Sequence, residues 1–384
     1  MITKIKIFIK YILFNIIDKL IRKNSKVKEK TILLIRLDAI GDYVLFRNFI
    51  EVLKNEYKNY KITLVGNVAW KAIAEEFDSE FIDKFIGIDR VKFGKNIVYR
   101  YKKLKEITKQ DYEIVINPIY SRTFLFDDNI VKVVNAKEKI GSNGDLSNIR
   151  KWQKNISDKY YTKLLPAKNE IMFEFYRNKE FFENLLNKKI DIKRPIIKLK
   201  EKILSFKLPN NYAILFIGAS ADFRKWSIEN FVEIGKYLKD KYNYEIVVCG
   251  GPTDIEEAKK FKNLANYDYI DMVGKTSLID FLYIIYNGNL MIANETSAPH
   301  FAVALEMTNI FVISNGNHFG RFTPYPKEIW PYYYPIYHPE IEKDLDNYKK
   351  LSNSYGYGSK LNINNISVEK VKNRISEVLD DENS

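Results

Sequence analysis

The chain has 384 residues, of which 46% are hydrophobic, so the composition excludes a disordered protein and predicts two folded domains. The net charge of +13 favours an anionic partner, which could be nucleic acid, an anionic membrane or a phosphate-bearing substrate. The alternative is that the excess of lysine reflects a biased residue usage of the genome and not a partner. One cysteine, Cys249, excludes an internal disulfide, and three histidines without metal-ligand spacing argue against a zinc site, so we expect no metal.

Residues 1–30 precede the first predicted domain and begin with a basic amphipathic helix over residues 1–23. Seven aliphatic residues share one face of this helix: Ile2, Ile5, Ile9, Ile12, Leu13, Ile16 and Leu20. The longest uncharged run, residues 11–17, is too short to span a bilayer, and a secretory cleavage site is missing. Two alternatives stay open, since the apolar face lies either in the headgroup region of a membrane or against the protein's own body.

Residues 31–190 alternate strand-length apolar runs with helical patterns, which is typical of parallel α/β units. The pattern predicts strands over 32–37, 61–66 and 112–118. Helices are predicted over 43–56, 68–77, 98–108 and 169–186, whereas residues 120–165 are less regular. We therefore predict a first Rossmann-like domain that ends in a charged connector near residues 188–208.

A second alternation fills residues 205–345 and predicts another Rossmann-like sheet. The predicted strands are 212–219, 245–251, 269–274, 289–294 and 309–314, and the predicted helices between them are 227–241, 254–264 and 278–286. The tail, 346–384, carries a closing helix over 367–379. The predicted fold class is α/β with two parallel-sheet domains, and we expect ligands in a cleft at the carboxyl ends of the strands.

The first informative loop is "RLDAIGDYVLF", residues 36–46. Gly41 permits a tight turn, and Asp42 stands at a helix start where a carboxylate could act as a base. Because Asp is a favoured N-cap residue, a purely structural cap is the alternative.

Two further loops suit a phosphate-bearing ligand. In "IGASADFRKWSIENF", residues 217–231, Gly218 and Ser220 allow close backbone approach, and Arg224 and Lys225 add positive charge before a helix. In "GGPTDIEE", residues 250–257, Asp254 or Glu256 could accept hydrogen bonds from ribose hydroxyls. Solvated basic residues and a helix cap are the simpler alternatives.

The stretch "NETSAPHFAVAL", residues 294–305, crowds polar groups around a helix start. Glu295, Thr296 and Ser297 lie in this turn, where the helix dipole favours an anion. His300, one turn in, could donate to a phosphate or neutralise a leaving group, although a locally satisfied histidine is the alternative. In the loop after residue 315, His318 and Arg321 are candidates for the acceptor side, unless this loop only covers a sheet edge.

The chain resembles glycosyltransferase family nine, the heptosyltransferase-like family, over roughly residues 30–315. The resemblance rests on stretches in a fixed order: "ILLIRLDAIGDYVL", "FIGASADFRKWSIENF", "VVCGGPTD", "GKTSL" and "NETSAPHFAVAL". It implies the GT-B arrangement of two Rossmann-like domains. It also implies inverting transfer of a sugar, typically a heptose from ADP-heptose, to a lipopolysaccharide core hydroxyl.

By this resemblance, Asp42 falls where the family has its proposed general base, Lys225 meets the donor phosphates and the 295–300 turn holds the nucleotide diphosphate. We expect a nucleotide-sugar donor, no metal or other cofactor, an anionic lipid-linked acceptor and a position on the inner face of the cytoplasmic membrane. The best characterised members have Asp-Thr-Gly where this chain has Glu295-Thr296-Ser297, a change that could reshape the donor pocket.

Other functions remain as alternatives. The chain could serve another cell-surface polysaccharide with a different nucleotide sugar, or bind nucleotide without catalysis. A nucleic-acid-binding protein is disfavoured, because helix-turn-helix, zinc and RNA-binding signatures are missing and the lysines are not grouped on one element.

Overall fold

The computed structural model describes residues 2–21 and 26–380. Contacts divide them into two compact units: one runs to residue 170 and adds 175–192, and the other comprises 171–174 and continues from 193. The division after residue 192 lies inside the charged connector. Nothing in the sequence indicates that residues 171–174 belong to the second unit while residues 175–192 belong to the first.

The first unit contains a six-stranded sheet and its helices. Its elements in chain order are α1 (Ile2–Lys19), β1 (Val27–Arg36), α2 (Ile40–Val44), α3 (Asn48–Glu56), β2 (Lys61–Asn67), α4 (Lys71–Phe77), β3 (Lys84–Ile88), α5 (Arg90–Lys95), α6 (Ile97–Ile107), β4 (Asp111–Asn117), α7 (Asp127–Val133), β5 (Ala136–Ser142), α8 (Lys151–Ser157), β6 (Lys163–Leu165) and α9 (Glu174–Leu186).

The second unit contains another six-stranded sheet. Its elements are β7 (Tyr212–Phe216), α10 (Ile228–Tyr242), β8 (Glu245–Cys249), α11 (Ile255–Leu264), β9 (Ile270–Asp271), α12 (Leu278–Asn287), β10 (Leu290–Asn294), α13 (Ser297–Ala304), β11 (Asn309–Ser314), β12 (Tyr333–Tyr337), α14 (Pro339–Glu342), α15 (Tyr348–Tyr355) and α16 (Val368–Leu379). α16 packs in the core of this unit with α10, so the predicted closing helix is confirmed.

Both sheets are parallel throughout and share one topology. The first has the order β3-β2-β1-β4-β5-β6, and the second has the order β12-β11-β10-β7-β8-β9, which is the same order counted from the other edge. The strand order reverses between β1 and β4 in the first sheet and between β7 and β10 in the second. In doubly wound folds, ligands bind beyond the carboxyl ends of the strands at such a reversal. The predicted α/β fold class is confirmed.

The central strands are aliphatic because helices cover both faces of each sheet. In β1, residues 32–35 are fully buried, and the same holds for residues 290–293 of β10. The continuous apolar runs in the sequence therefore mark the strands that flank each reversal.

The sequence analysis missed the peripheral elements, which are β3, β5, β6, β12, α5, α7, α8, α14 and α15. β5 begins with the charged stretch 137–139, so it lacks an apolar pattern, and Pro335 lies inside β12. Proline is tolerated there because β12 is an edge strand, bonded only to β11. The single helix predicted over 43–56 is two helices, α2 and α3.

α1 belongs to the first unit and has two different faces. The predicted apolar face is exposed at Ile9, Ile12, Leu13, Ile16 and Leu20, so the alternative in which that face packs on the protein is wrong. The opposite face packs inward; Ile2 and Ile5 lie outside the described side chains. Within the described residues, the helices are too short or too polar to cross a membrane.

Candidate active site

The candidate residues follow the strands at the two reversals. β1 leads into the turn that carries Asp42, while β7 and β10 lead into the loops 217–227 and 294–300. This placement matches the region where doubly wound sheets bind ligands. Each unit thus carries its own group of candidate side chains.

In the first unit, Asp42 lies in the first turn of α2. The N-cap of this helix is Ala39, which makes no side-chain cap bond, and the half-buried Asp42 is its third residue. The cap interpretation of Asp42 is therefore wrong. Gly41 also lies in this turn with a helical backbone, so a tight turn is not the reason for a glycine there.

Buried contacts fix the turn around Asp42. The Asp38 carbonyl accepts hydrogen bonds from Trp70 Nε1 at 3.0 Å and Asn67 Nδ2 at 3.1 Å. Tyr43 stacks on Trp70 with centroids 3.8 Å apart and donates to Asp78 at 2.6 Å. Because its neighbours on both sides are held, the Asp42 backbone is positioned before any substrate binds.

In the second unit, Asn294 at the end of β10 holds the loop 217–227 at both ends. Its Nδ2 donates to the Ile217 carbonyl at 3.0 Å, and its Oδ1 accepts from the Trp226 backbone N–H at 3.0 Å. The buried Trp226 also donates through Nε1 to the Ile366 carbonyl at 2.8 Å. The loop is thus preorganised by buried hydrogen bonds, while Ser220 within it is exposed.

Arg224 connects this loop to the turn before α13. Its Nη1 donates to the Glu295 carbonyl at 3.4 Å, and its Nη2 donates to the Ser220 hydroxyl. Its Nε is buried and has no hydrogen-bond partner among the described residues. A guanidinium with an unused donor at a strand end is suited to a phosphate oxygen.

Lys225 is surrounded by carboxylates. Its Nζ lies 2.6 Å from Glu257 Oε1, 3.5 Å from Asp222 Oδ1 and 3.8 Å from Asp254 Oδ1. The hydrogen bond to Glu257 is the main cause that raises the pKa of Lys225, so this lysine is charged at neutral pH. To reach a donor phosphate, its ammonium must exchange carboxylate partners for phosphate.

Asp254 braces two loops from a buried position. Its Oδ2 accepts from the Gly251 backbone N–H at 2.8 Å, and burial raises the pKa of this carboxyl. A Cβ on Gly218 would lie 2.1 Å from Asp254 Oδ2, so Gly218 is required for this close approach. The ribose contact of Asp254 stays a prediction, while its bracing contact is present.

Thr296 is the N-cap of α13. Its hydroxyl accepts from the Ala298 N–H at 3.2 Å, and Pro299 has no N–H to offer. Thr296 and the neighbouring Ser297 are half-buried. The cap satisfies one amide of the first turn, and the helix dipole still favours an anion there.

His300 is neutral in this structure. It is buried, which lowers its pKa to about 4, and its Nδ1 lies 2.7 Å from the hydroxyl of Tyr325. In the tautomer that accepts from Tyr325 at Nδ1, the hydrogen on Nε2 can be donated to a ligand. Without a ligand, His300 is therefore a neutral group that can hydrogen-bond to a phosphate, and its role in neutralising a leaving group stays a prediction.

The Glu295 carboxyl is directed to the end of β11. It accepts from the Ser314 hydroxyl at 2.7 Å, and its burial raises its pKa to about 7. The additional length of glutamate is used for this contact, so Glu295 joins two strand ends. The predicted donor contact of Glu295 has no support from this orientation.

His318 and Arg321 lie in the second unit. Burial lowers the pKa of His318 to about 4, with smaller contributions from the charges of Arg321 and Arg224. Arg321 lies 4.0 Å from the Glu174 carboxylate and 5.0 Å from the ring centroid of Tyr357. These residues are therefore in the same unit as the phosphate loops, and their acceptor role stays a prediction.

The sequence analysis did not propose Asn294, Glu257, Ser314 or Tyr325 as site residues. Asn294 ends an apolar strand next to the candidate turn, a position that could have identified it. The other three act through long-range pairs, which have no local sequence signal. Among the described residues, no cluster of His, Cys, Asp and Glu has a geometry that could hold a metal ion.

Comparisons with known proteins agree with this architecture. A glycosyltransferase family 9 protein from Veillonella parvula DSM 2008 is similar, with a TM-score of 0.68 and 19% identity over 93% of this chain and 99% of that one. The E. coli heptosyltransferase WaaC with ADP gives a TM-score of 0.66 and 15% identity, over 90% and 99% of the two chains. E. coli ADP-heptose lps heptosyltransferase II gives 0.60 and 14%, over 92% and 100%. At these identities the likeness establishes the fold.

A search of curated proteins finds no match. The family itself is identified by a family model, described as glycosyltransferase family 9 (heptosyltransferase), that matches residues 100–333. This match covers more than half of the chain and includes the loops around Arg224, Asp254 and Glu295. The chain therefore belongs to glycosyltransferase family 9, the heptosyltransferase family.

Proposed function

We propose that this glycosyltransferase moves a sugar, best fitted by a heptose, from an ADP-linked donor to a hydroxyl of a lipopolysaccharide core or related lipid-linked glycan. The observation that carries the donor side is Arg224, whose buried Nε has no partner among the described residues and whose Nη1 reaches the turn before α13. This arrangement suits a diphosphate. The ADP and heptose assignments are supported by the names of the similar E. coli enzymes.

In the proposed reaction, an acceptor oxygen forms a bond to the anomeric carbon while the bond from that carbon to the donor phosphate breaks with inversion. Asp42 takes the acceptor proton, because a sugar hydroxyl is a poor nucleophile until a base removes that proton. The base must come within about 3 Å of the hydroxyl. The held turn around Asp42 favours this role, since a positioned base loses little entropy in the reaction.

The leaving diphosphate gains negative charge as the bond breaks. Arg224 and Lys225 supply positive charge to it, the N-terminus of α13 supplies a favourable dipole, and neutral His300 supplies a hydrogen bond from Nε2. We propose that these groups stabilise the leaving group without a metal cofactor. The ionic partners of Lys225 imply that its charge is fully available only after it leaves Glu257.

Because the proposed acceptor is lipid-linked, we propose that the enzyme acts at the inner face of the cytoplasmic membrane. The cationic chain, with its net charge of +13, fits an anionic acceptor and an anionic lipid surface. The location is part of the proposal and is testable separately from the chemistry.

The first test is calorimetric binding of ADP, GDP, UDP and inorganic phosphate to the purified protein. We expect ADP to bind most tightly and Arg224→Ala to weaken that binding. Preference for UDP or GDP would assign a different nucleotide sugar and overturn the ADP part of the proposal. If the protein binds ADP tightly but shows no turnover with a panel of ADP-sugars and lipid-linked acceptors, it is a nucleotide-binding family member without catalytic activity.

A further inference from the structure

The N-terminal helix α1 has an exposed aliphatic face although it is docked on the first unit. Five large side chains, four within α1 and Leu20 directly after it, are between 40% and 66% exposed: Ile9, Ile12, Leu13, Ile16 and Leu20. At about 100° per residue, they fall within an arc of about 100° on the helix surface. We call these five residues the α1 stripe. Contiguous exposed aliphatic surface of this kind marks an interaction site.

The opposite face of α1 is fixed by specific contacts. The Phe14 ring lies 3.8 Å from the Arg100 guanidinium carbon. Asp18 accepts from Asn129 Nδ2 at 2.7 Å and pairs with Lys132 Nζ at 2.8 Å. Turning the α1 stripe inward would separate Asp18 from Asn129 and Lys132 and would remove the Phe14 ring from the Arg100 guanidinium, so these contacts oppose the rotation. The stripe is therefore exposed as a consequence of how the helix is held.

The sequence that contains the stripe carries an excess of positive charge. The first 30 residues contain nine basic side chains and two acidic ones, and Asp18, the acid within α1, is buried against α7. On the neighbouring α5, Lys95 is close enough to Lys10 to lower its pKa, although burial is the larger cause. The exposed part of α1 thus combines aliphatic side chains with cations.

We infer that the α1 stripe docks this enzyme on an anionic lipid bilayer, with α1 lying in the headgroup region while it stays bound to its unit. A bilayer satisfies both properties of this surface, because acyl chains take up the aliphatic side chains and anionic headgroups pair with the lysines. A second copy of the chain fits less well, since it would bring the same positive charges to the interface.

The docking surface is connected to the unit that carries Asp42. Asn129 and Lys132, which bind Asp18, lie on α7, and α7 begins at Asp127, after the loop that follows β4. A bilayer bound at α1 therefore holds the unit that carries the proposed base. This consequence rests on the proposed function, whereas the docking itself does not.

The experiment is vesicle cosedimentation of the full chain carrying Ile12→Gln and Ile16→Gln. Both side chains are about half exposed, at 47% and 55%, so the fold tolerates the change. We expect wild type to bind phosphatidylglycerol vesicles and to bind phosphatidylcholine vesicles weakly. The double variant should lose about 10-fold or more in binding to phosphatidylglycerol vesicles, since two aliphatic groups no longer leave water.

The matched control carries Ile203→Gln and Leu264→Gln, two exposed aliphatic side chains of the second unit. It should bind vesicles within about twofold of wild type. Point substitutions are preferred to removal of residues 1–23, because removal would uncover Arg100 and Asn129. Circular dichroism and thermal melting check that each variant is folded.

The inference would be overturned if the variant with Ile12→Gln and Ile16→Gln bound phosphatidylglycerol vesicles as tightly as the wild type. It would also be overturned if the wild type did not bind these vesicles. The wild type could instead form a dimer in analytical ultracentrifugation and not bind vesicles. If the variant then stayed monomeric, the α1 stripe would be an interface with a second copy of the chain, and the inference would be overturned. The ADP affinity of the variant separates this inference from the proposed function. If the variant loses vesicle binding and keeps normal ADP affinity, the substitutions act on membrane docking through α1 and not on the donor site. If the wild type does not bind ADP, only the proposed function is contradicted.

Discussion

At the reversal of the first sheet, β1 leads to a half-buried carboxylate, Asp42, in the first turn of a five-residue helix. At the reversal of the second sheet, β7 and β10 lead to Arg224, Lys225 and the N-terminus of α13. The strand order is the same in both sheets, so topology does not explain the difference. The loops carry the chemistry, and the shared framework only places them at strand ends.

The largest effect we expect is on the base. Asp42→Asn should lower kcat by about 10² to 10⁴, because the amide cannot take the acceptor proton, while ADP affinity stays unchanged. Steady-state turnover and calorimetry measure the two quantities. Asp38→Asn, a carboxylate on the same loop that already pairs with Arg36 at 3.0 Å, is the matched control. Equal losses in both variants would contradict a special role for Asp42.

The second prediction concerns the buried carboxyl of the second unit. The pKa of Glu295 is raised to about 7, so the folded state binds its proton more tightly than the unfolded state does. This difference in proton binding contributes fully to the free energy of unfolding below pH about 4.5. The contribution is lost as the pH rises through about 7, which lowers the free energy of unfolding by up to about 3 kcal/mol.

Glu295→Gln keeps a neutral acceptor for Ser314 at every pH. We expect it to match wild type near pH 5 and to exceed wild type in free energy of unfolding near pH 8. Urea unfolding across this range measures the difference. Glu256→Gln, an exposed carboxylate, is the control and should follow wild type. Parallel curves for wild type and Glu295→Gln would show that Glu295 is not held in its protonated form.

The third prediction tests the cationic side of the comparison. Arg224→Ala should weaken ADP binding by about 10- to 100-fold, because a charge-assisted contact to phosphate contributes about 1.5–3 kcal/mol. Lys236→Ala removes a positive charge from an exposed ion pair with Asp240 in the same unit and is the control for net charge. An equal loss in both variants would mean that Arg224 acts only through overall charge.

The smallest effect should come from the carboxylates around Lys225. Glu257→Gln removes the charge of its nearest partner, 2.6 Å away, and should tighten ADP binding by about two- to fivefold. Lys225→Ala should weaken it by about tenfold or less, since the lysine gives up ion pairs to bind phosphate. Calorimetry decides, with Glu245→Gln, an exposed carboxylate of the same unit, as the control. Unchanged affinity in Glu257→Gln would mean that Lys225 stays with its carboxylates when donor binds.

Much of the framework was predictable because the flanking strands are buried on both faces. β1, β7 and β10 have continuous apolar runs, and the polar loops that follow them stand out in the sequence. The strands β5 and β12 were not predictable, because β12 contains Pro335 and β5 carries the charged stretch 137–139. The α2–α3 break and the helices α7 and α8 were also not predicted from the sequence.

The sequence by itself determined which residues lie at the strand ends, since local periodicity and turn composition identify those positions. It also determined that α1 is amphipathic. Only the tertiary structure decided that the α1 stripe stays exposed, because the contact of Phe14 with Arg100 and the pairing of Asp18 with Lys132 join distant segments. The same holds for Glu295 and Lys225, whose partners lie on other strands and helices, and long-range packing selects such partners without any local signal.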